Sequence, residues 1–103
     1  MDQIESLTTS IREFAKKRDW EKFHTPKNLA MAIAGEAGEL AAEFQWLTPE
    51  GSYNSELSDE KVRAIRLEMA DVQIYLLRLA DVLEVDISEA VLEKMKINEE
   101  RFS

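Results

Sequence analysis

Apolar residues recur at helical spacing along most of this chain. Ile4, Leu7, Ile11 and Phe14 follow one another at intervals of three, four and three. That spacing puts them on one face and predicts a first helix from about Asp2 to Lys17. The segment Asp19-Trp20-Glu21-Lys22-Phe23-His24 is aromatic and has no clear period. Thr25-Pro26 then reads as an N-cap followed by proline at the first helical position. A second helix from Pro26 to about Leu47 is unusually rich in small residues, among them Ala30, Ala34, Gly35, Gly38 and Ala41. Glycine inside a helix costs ~1 kcal/mol relative to alanine, so Gly35 and Gly38 point to close packing.

The only substantial loop runs from Thr48-Pro49 to Leu57, and its Gly51-Ser52-Tyr53-Asn54 stretch predicts a mobile connection of the kind that often carries function. Ser58 with Asp59 and Glu60 opens the third and clearest helix. Val62, Ile65, Met69, Val72, Leu76, Leu79 and Leu83 alternate there at three and four. Asp86-Ile87-Ser88-Glu89 has the form of a capped start, and a fourth helix continues to about Arg101 with a thinner stripe of Ile87, Val91, Met95 and Phe102. The pattern predicts an all-α protein, a four-helix bundle-like protomer.

Composition narrows this picture. A chain of 103 residues, 45% apolar and 33% charged, with three glycines and two prolines, is expected to form one domain over residues 1–103. The formal charge of −8 argues against a nucleic-acid polymer or an anionic membrane surface as partner. It leaves room for a nucleotide whose phosphates are screened by a metal. Cysteine is absent, which removes disulfide and thiolate chemistry. Neither a signal pattern nor an apolar run of spanning length is present, so the expected location is cytoplasmic, away from membranes.

The candidate chemistry lies in two acidic couplets, Glu36-Ala37-Gly38-Glu39 and Glu68-Met69-Ala70-Asp71. Residues three apart on a helix are neighbours on one face, so each couplet presents two carboxylates side by side. Two charges ~5 Å apart repel by ~1 kcal/mol in water and ~3 kcal/mol at an effective dielectric near 20. A hard divalent cation removes that repulsion, and an all-oxygen donor set points to Mg²⁺, with Mn²⁺ as substitute.

These couplets begin longer specialised stripes. Glu36, Glu39, Glu43 and Trp46 on the second helix and Glu68, Asp71, Tyr75 and Arg78 on the third both follow intervals of three, four and three, and Lys94, Asn98 and Arg101 line up similarly on the fourth. Converging, they would combine acids for a metal, an aromatic platform for a base and cations for phosphates, which suits a nucleoside triphosphate. Each stripe also has a plainer reading. Charged stripes are commonly solvated faces, and a basic last turn is favoured by the helix dipole. Trp20, Trp46 and Tyr75 equally suit core positions, and His24 a capping or packing role. A di-iron bundle is excluded because it needs Glu-x-x-His on two helices and the chain has one histidine. Phosphate-loop, zinc-protease and calcium-loop motifs are absent from the sequence, as is a nucleophile elbow.

Taken together, the two couplets resemble those of the MazG-like all-α nucleoside triphosphate pyrophosphohydrolases, most of all the dCTP pyrophosphatase branch. The likeness extends through Arg18-Asp19-Trp20-Glu21-Lys22-Phe23-His24, Pro26-Lys27-Asn28-Leu29, Phe44-Gln45-Trp46, Ile74-Tyr75-Leu76 and Lys94-Met95 with Asn98 and Arg101. The resemblance implies Mg²⁺-dependent cleavage between the α and β phosphates, giving monophosphate and pyrophosphate. It implies Glu36, Glu39, Glu68 and Asp71 as metal ligands, with Trp20, His24, Trp46 and Tyr75 around base and sugar. It also implies Lys94, Asn98 and Arg101 at phosphates, and a homodimer or homotetramer. A metal-site carboxylate is the base on offer for the attacking water, and Glu36 or Glu39 is expected to serve. The composition of the loop from Thr48 to Leu57, together with an expected lack of terminal extensions, is read as setting the chain apart from longer members. The resemblance implies dCTP or a modified dCTP as substrate. Because the loop is expected to cover the pocket, the same reaction with broad or different base choice, on dUTP or a non-canonical dNTP, is the alternative substrate reading, and a non-catalytic oligomerisation or regulatory module the alternative role.

Overall fold

The structure, a computed structural model, describes residues 2–102. Among them are four α-helices, three short 3-10 turns and no strand. Helix α1 spans Gln3–Lys17, α2 Pro26–Phe44, α3 Asp59–Val82 and α4 Ile87–Arg101. None is long and apolar enough to cross a membrane.

Side-chain caps set several of these boundaries. Asp2 accepts from the Glu5 amide at 2.8 Å, Ser58 from Lys61 at 3.1 Å, and Asp86 from Glu89 at 3.1 Å, so each satisfies one of the free amides of a first helical turn. The C-termini of α1 and α3 close in the same way without glycine. The Trp20 amide returns to the Ala15 carbonyl and that of Asp19 to Lys16. The Val85 amide likewise returns to Ala80 and that of Glu84 to Asp81. These are Schellman closures, and they place Asp19 and Glu84 at φ 57° each, in the left-handed region.

The second helix stops at Phe44, earlier than the expected Leu47. The chain turns there, with the Leu47 amide on the Phe44 carbonyl at 2.9 Å. The following loop is organised into 3-10 turns at Glu50–Ser52 and Asn54–Glu56. Thr48 Oγ1 accepts from the Gly51 amide at 3.0 Å, and Ser52 Oγ donates to the Pro49 carbonyl at 2.7 Å.

The chain divides into two compact units. One comprises residues up to Pro26 together with those from Leu77 onward, and the other runs from Lys27 to Leu76. The buried apolar side chains of the first are Ala15, Leu77 and Ala80, and Leu29 is that of the second. The apolar stripe expected on α3 is therefore not its most buried face. Leu77 and Ala80 are buried, whereas Met69 and Leu83 are 58% and 52% exposed. Exposed Leu7 and Phe14 show the same on α1. Helical spacing identifies an apolar face, but what covers it depends on neighbouring chain.

Candidate active site

The second unit holds the acidic couplets. Glu36 and Glu39 lie one turn apart on α2, and Glu68 and Asp71 one turn apart on α3. Carboxylate oxygens of Glu36, Glu39 and Glu68 come within 4.8 Å of one another, while Asp71 lies outside that group. Its charge is nonetheless felt. Burial, then the negative charges of Glu39 and Asp71, push the carboxyls of both Glu36 and Glu68 above the usual glutamate range. Such a shift means that ionisation here is opposed by the surroundings.

Glu36 Oε2 and Glu68 Oε2 are both buried with no hydrogen-bond partner. A buried carboxylate oxygen without a partner is costly, and a cation is the partner that would also relieve the mutual repulsion. The donor set is hard oxygen throughout and suits Mg²⁺ or Mn²⁺. Glu43, next on the acidic stripe of α2, is taken up otherwise: Lys61 Nζ binds its Oε1 at 2.8 Å. That pair leaves Glu36, Glu39 and Glu68 as the clustered acids. Of the aromatic candidates in this unit, Tyr75 is half-buried on α3 and Trp46, just past α2, is 89% exposed.

The first unit carries the other expected site residues. Trp20 follows the left-handed Asp19 at the end of α1, its ring edge-on to Phe14 at 5.6 Å and to His24 at 6.5 Å. Arg18 stacks over Phe14, its guanidinium carbon 3.5 Å from the ring centroid. Lys94, Asn98 and Arg101 follow one another along α4, with Asn98 half-buried and Arg101 over the Phe102 ring at 5.0 Å.

One network joins Arg78 and His24, both named from the sequence, to Arg12 and Asp81, which were not. Asp81 on α3 receives a forked pair of bonds from Arg12 on α1, at 2.8 and 2.7 Å, and a third from Arg78 at 3.0 Å. Arg78, only 6% exposed, then donates from Nε to His24 Nδ1 at 3.1 Å. The hydrogen bond from Arg12 holds the Asp81 carboxyl below the usual aspartate range. Burial, then the charge of Arg78, lowers His24, with Glu21 opposing. The sequence signals only the Arg78–Asp81 pair, three apart on one helix. Arg12 and His24 stand 69 and 54 positions from their partners.

Comparison with known proteins follows the same lines. The MazG-like family model matches residues 31–103. The chain is 44% identical to human dCTP pyrophosphatase 1 over 99 residues, 96% of this chain and 58% of that protein. It is 42% identical to the Bos taurus protein of the same name over 96% of this chain and 59% of the relative. The chain thus spans less than two thirds of the length of these curated relatives. Among solved structures, a pyrophosphatase from Archaeoglobus fulgidus aligns with a TM-score of 0.89 and 41% identity, covering 99% of this chain and 94% of that one. With its helical architecture and paired acidic couplets, this chain belongs to the MazG-like family.

Proposed function

We propose that this protein hydrolyses a deoxynucleoside triphosphate, dCTP or a modified dCTP, between the α and β phosphates to release the monophosphate and pyrophosphate. The observation that carries the reading is the trio of carboxylates within 4.8 Å, two of them with buried unpartnered oxygens, in a chain so similar to proteins named dCTP pyrophosphatase. Glu36, Glu39 and Glu68, with Asp71 beside them, would hold Mg²⁺. Bound there, a divalent cation would neutralise charge on phosphate oxygens and help orient the substrate.

The protein's own groups do the rest. Glu36 or Glu39 accepts the proton of the attacking water at a carboxylate oxygen. Trp20 and Trp46 offer flat faces to a base, and Tyr75 and His24 offer polar edges to base and sugar. Lys94 and Arg101 carry the positive charge, and Asn98 the amide, that meet phosphates as negative charge moves onto the leaving pyrophosphate. A cytoplasmic place, where nucleoside triphosphates are available, belongs to the same proposal.

The protomer is proposed to work as a homodimer or homotetramer. Met31, Leu67, Met69 and Ile74 in the second unit, and Leu92, Met95 and Phe102 in the first, are between 42% and 74% exposed. That is much apolar surface for a chain with four buried apolar side chains among its described residues.

The test is product chromatography after incubation with Mg²⁺ and each common dNTP and NTP separately. Monophosphate plus pyrophosphate, fastest from dCTP, is the expected result. The same products from another base would move the substrate and keep the reaction. Inorganic phosphate as first product, or no hydrolysis of canonical or modified nucleotides, would overturn the reading.

A further inference from the structure

We propose that Arg78 is a positioning residue that locks His24 as the neutral imidazole with its proton on Nε2, so that His24 meets the nucleotide as a hydrogen-bond donor. The inference deepens the reading above, since it rests on His24 facing the base or sugar of a bound nucleotide.

The argument begins with the donor inventory of arginine. A guanidinium has five N–H groups and no acceptor. The bond of 3.1 Å from Arg78 Nε to His24 Nδ1 therefore requires a lone pair on Nδ1. In the neutral ring, one nitrogen with a free lone pair leaves the proton on the other. Nε2 is consequently N–H.

The arginine is itself held in place. Arg78 is 6% exposed, and its Nη1 binds Asp81 Oδ2 at 3.0 Å. Asp81 is fixed in turn by the forked contact from Arg12. Planar guanidinium–carboxylate pairing of this kind sets direction as well as charge. Two guanidinium groups share one carboxylate, so the trio retains a positive charge beside His24. A second cation on the imidazole is disfavoured, although Glu21 acts in the opposite sense. The edge-on ring of Trp20 packs against the imidazole without offering it an acceptor.

The chemical consequence concerns recognition. A donor at Nε2 selects an acceptor on the nucleotide, such as a carbonyl oxygen of a pyrimidine or a sugar or phosphate oxygen. It disfavours an N–H at the same place, because two donors facing each other are both left unsatisfied.

Nitrogen NMR of the intact protein without nucleotide tests this directly, since the chain has a single histidine. The expected spectrum near neutral pH has Nδ1 in the unprotonated range and Nε2 in the protonated range, with a nitrogen–nitrogen coupling across the bond from Arg78. Protonation at Nδ1, or averaging between tautomers, would overturn the proposal. Arg78→Gln is expected to abolish the coupling, let the ring average between tautomers and move its titration toward that of a free histidine. A folded Arg78→Gln protein that keeps the wild-type pattern would also overturn it. Should that variant not fold, the wild-type spectrum decides alone. Because no substrate is present, a negative outcome leaves the pyrophosphohydrolase reading standing. Absence of hydrolysis, in turn, leaves the tautomer assignment intact.

Discussion

Glu36 on α2 and Glu68 on α3 bring carboxylate oxygens within 4.8 Å of each other, and each keeps an Oε2 buried with no hydrogen-bond partner. Two acids so placed weaken the fold when both are ionised and acquire a purpose when a cation lies between them. Replacing either by glutamine removes one charge while keeping the shape. Glu36→Gln and Glu68→Gln are therefore expected to raise the melting temperature in chelator and to reduce the further rise that Mg²⁺ gives the wild type. Calorimetry with and without Mg²⁺ checks both halves. A melting temperature lowered in chelator would show that the cluster is not repulsive.

Turnover should be more sensitive than stability. Glu39→Gln and Asp71→Asn are expected to retain the helical far-ultraviolet spectrum and to hydrolyse nucleotide at less than a tenth of the wild-type rate. Activity above that level in either would remove the residue from the proposed metal site.

The raised carboxyls also set a pH dependence. A folded state whose glutamates titrate above their unfolded value binds more protons than the unfolded chain. Their ionisation thus costs stability at neutral pH, and that cost is relieved as pH falls through the raised folded values toward about 4.5. His24 and Asp81 act in the opposite direction. Both are lowered, so what they contribute is present above 6.5 and 3.8, respectively, and is lost as pH falls through their folded values. Urea unfolding between pH 7 and 5 in chelator should show wild type gaining on a Glu36→Gln/Glu68→Gln double variant. Saturating Mg²⁺ should flatten that difference.

Asp81 is expected to be costly to lose. Asp81→Asn keeps the size of the side chain but leaves Arg78, 6% exposed, without its carboxylate. Removing one partner from a largely buried charge pair costs about 2–4 kcal/mol. Chemical denaturation measures this, and a loss under 1 kcal/mol would mean that Arg78 finds water or another acceptor.

Glu84 offers a stabilising change. It takes the left-handed position that closes α3, at φ 57°, where a residue with a Cβ is disfavoured by about 1–2 kcal/mol and glycine is not. Glycine recovers that amount less its own entropic cost, for a net gain of about 0.5–1 kcal/mol. Glu84→Gly should therefore raise the melting temperature. Asp19→Gly at the end of α1 should gain less, because aspartate tolerates this conformation. Equal gains would point away from backbone conformation as the cause.

Much of the local architecture was legible in the chain itself. Three-and-four spacing located α1 and α3, Thr25-Pro26 and a run of small residues located α2, and a capped start with a thin apolar stripe located α4. Asp2, Ser58 and Asp86 marked starts that the structure caps with those same side chains. Interval and cap are properties of neighbours in sequence, so sequence alone determines them. The couplets could be placed on single helix faces for the same reason. Helix ends were less visible where glycine is missing. Asp19 and Glu84 close α1 and α3 in a conformation their residue types do not announce, and α2 ends at Phe44 on a turn that lacks such a signal.

Only the tertiary structure decided which charged residues have partners. It gathered Glu36, Glu39 and Glu68 from two helices, handed Glu43 to Lys61, and tied Arg12, Asp81, Arg78 and His24 into one chain. It also showed that Leu77 and Ala80 are the most buried apolar residues of α3, while the predicted stripe is half-buried at Val62, Ile65, Val72, Leu76 and Leu79 and exposed at Met69 and Leu83. Periodicity states which face a helix could bury. Whether that face meets protein, solvent or a second chain depends on contacts across tens of residues, and no interval in the sequence encodes those.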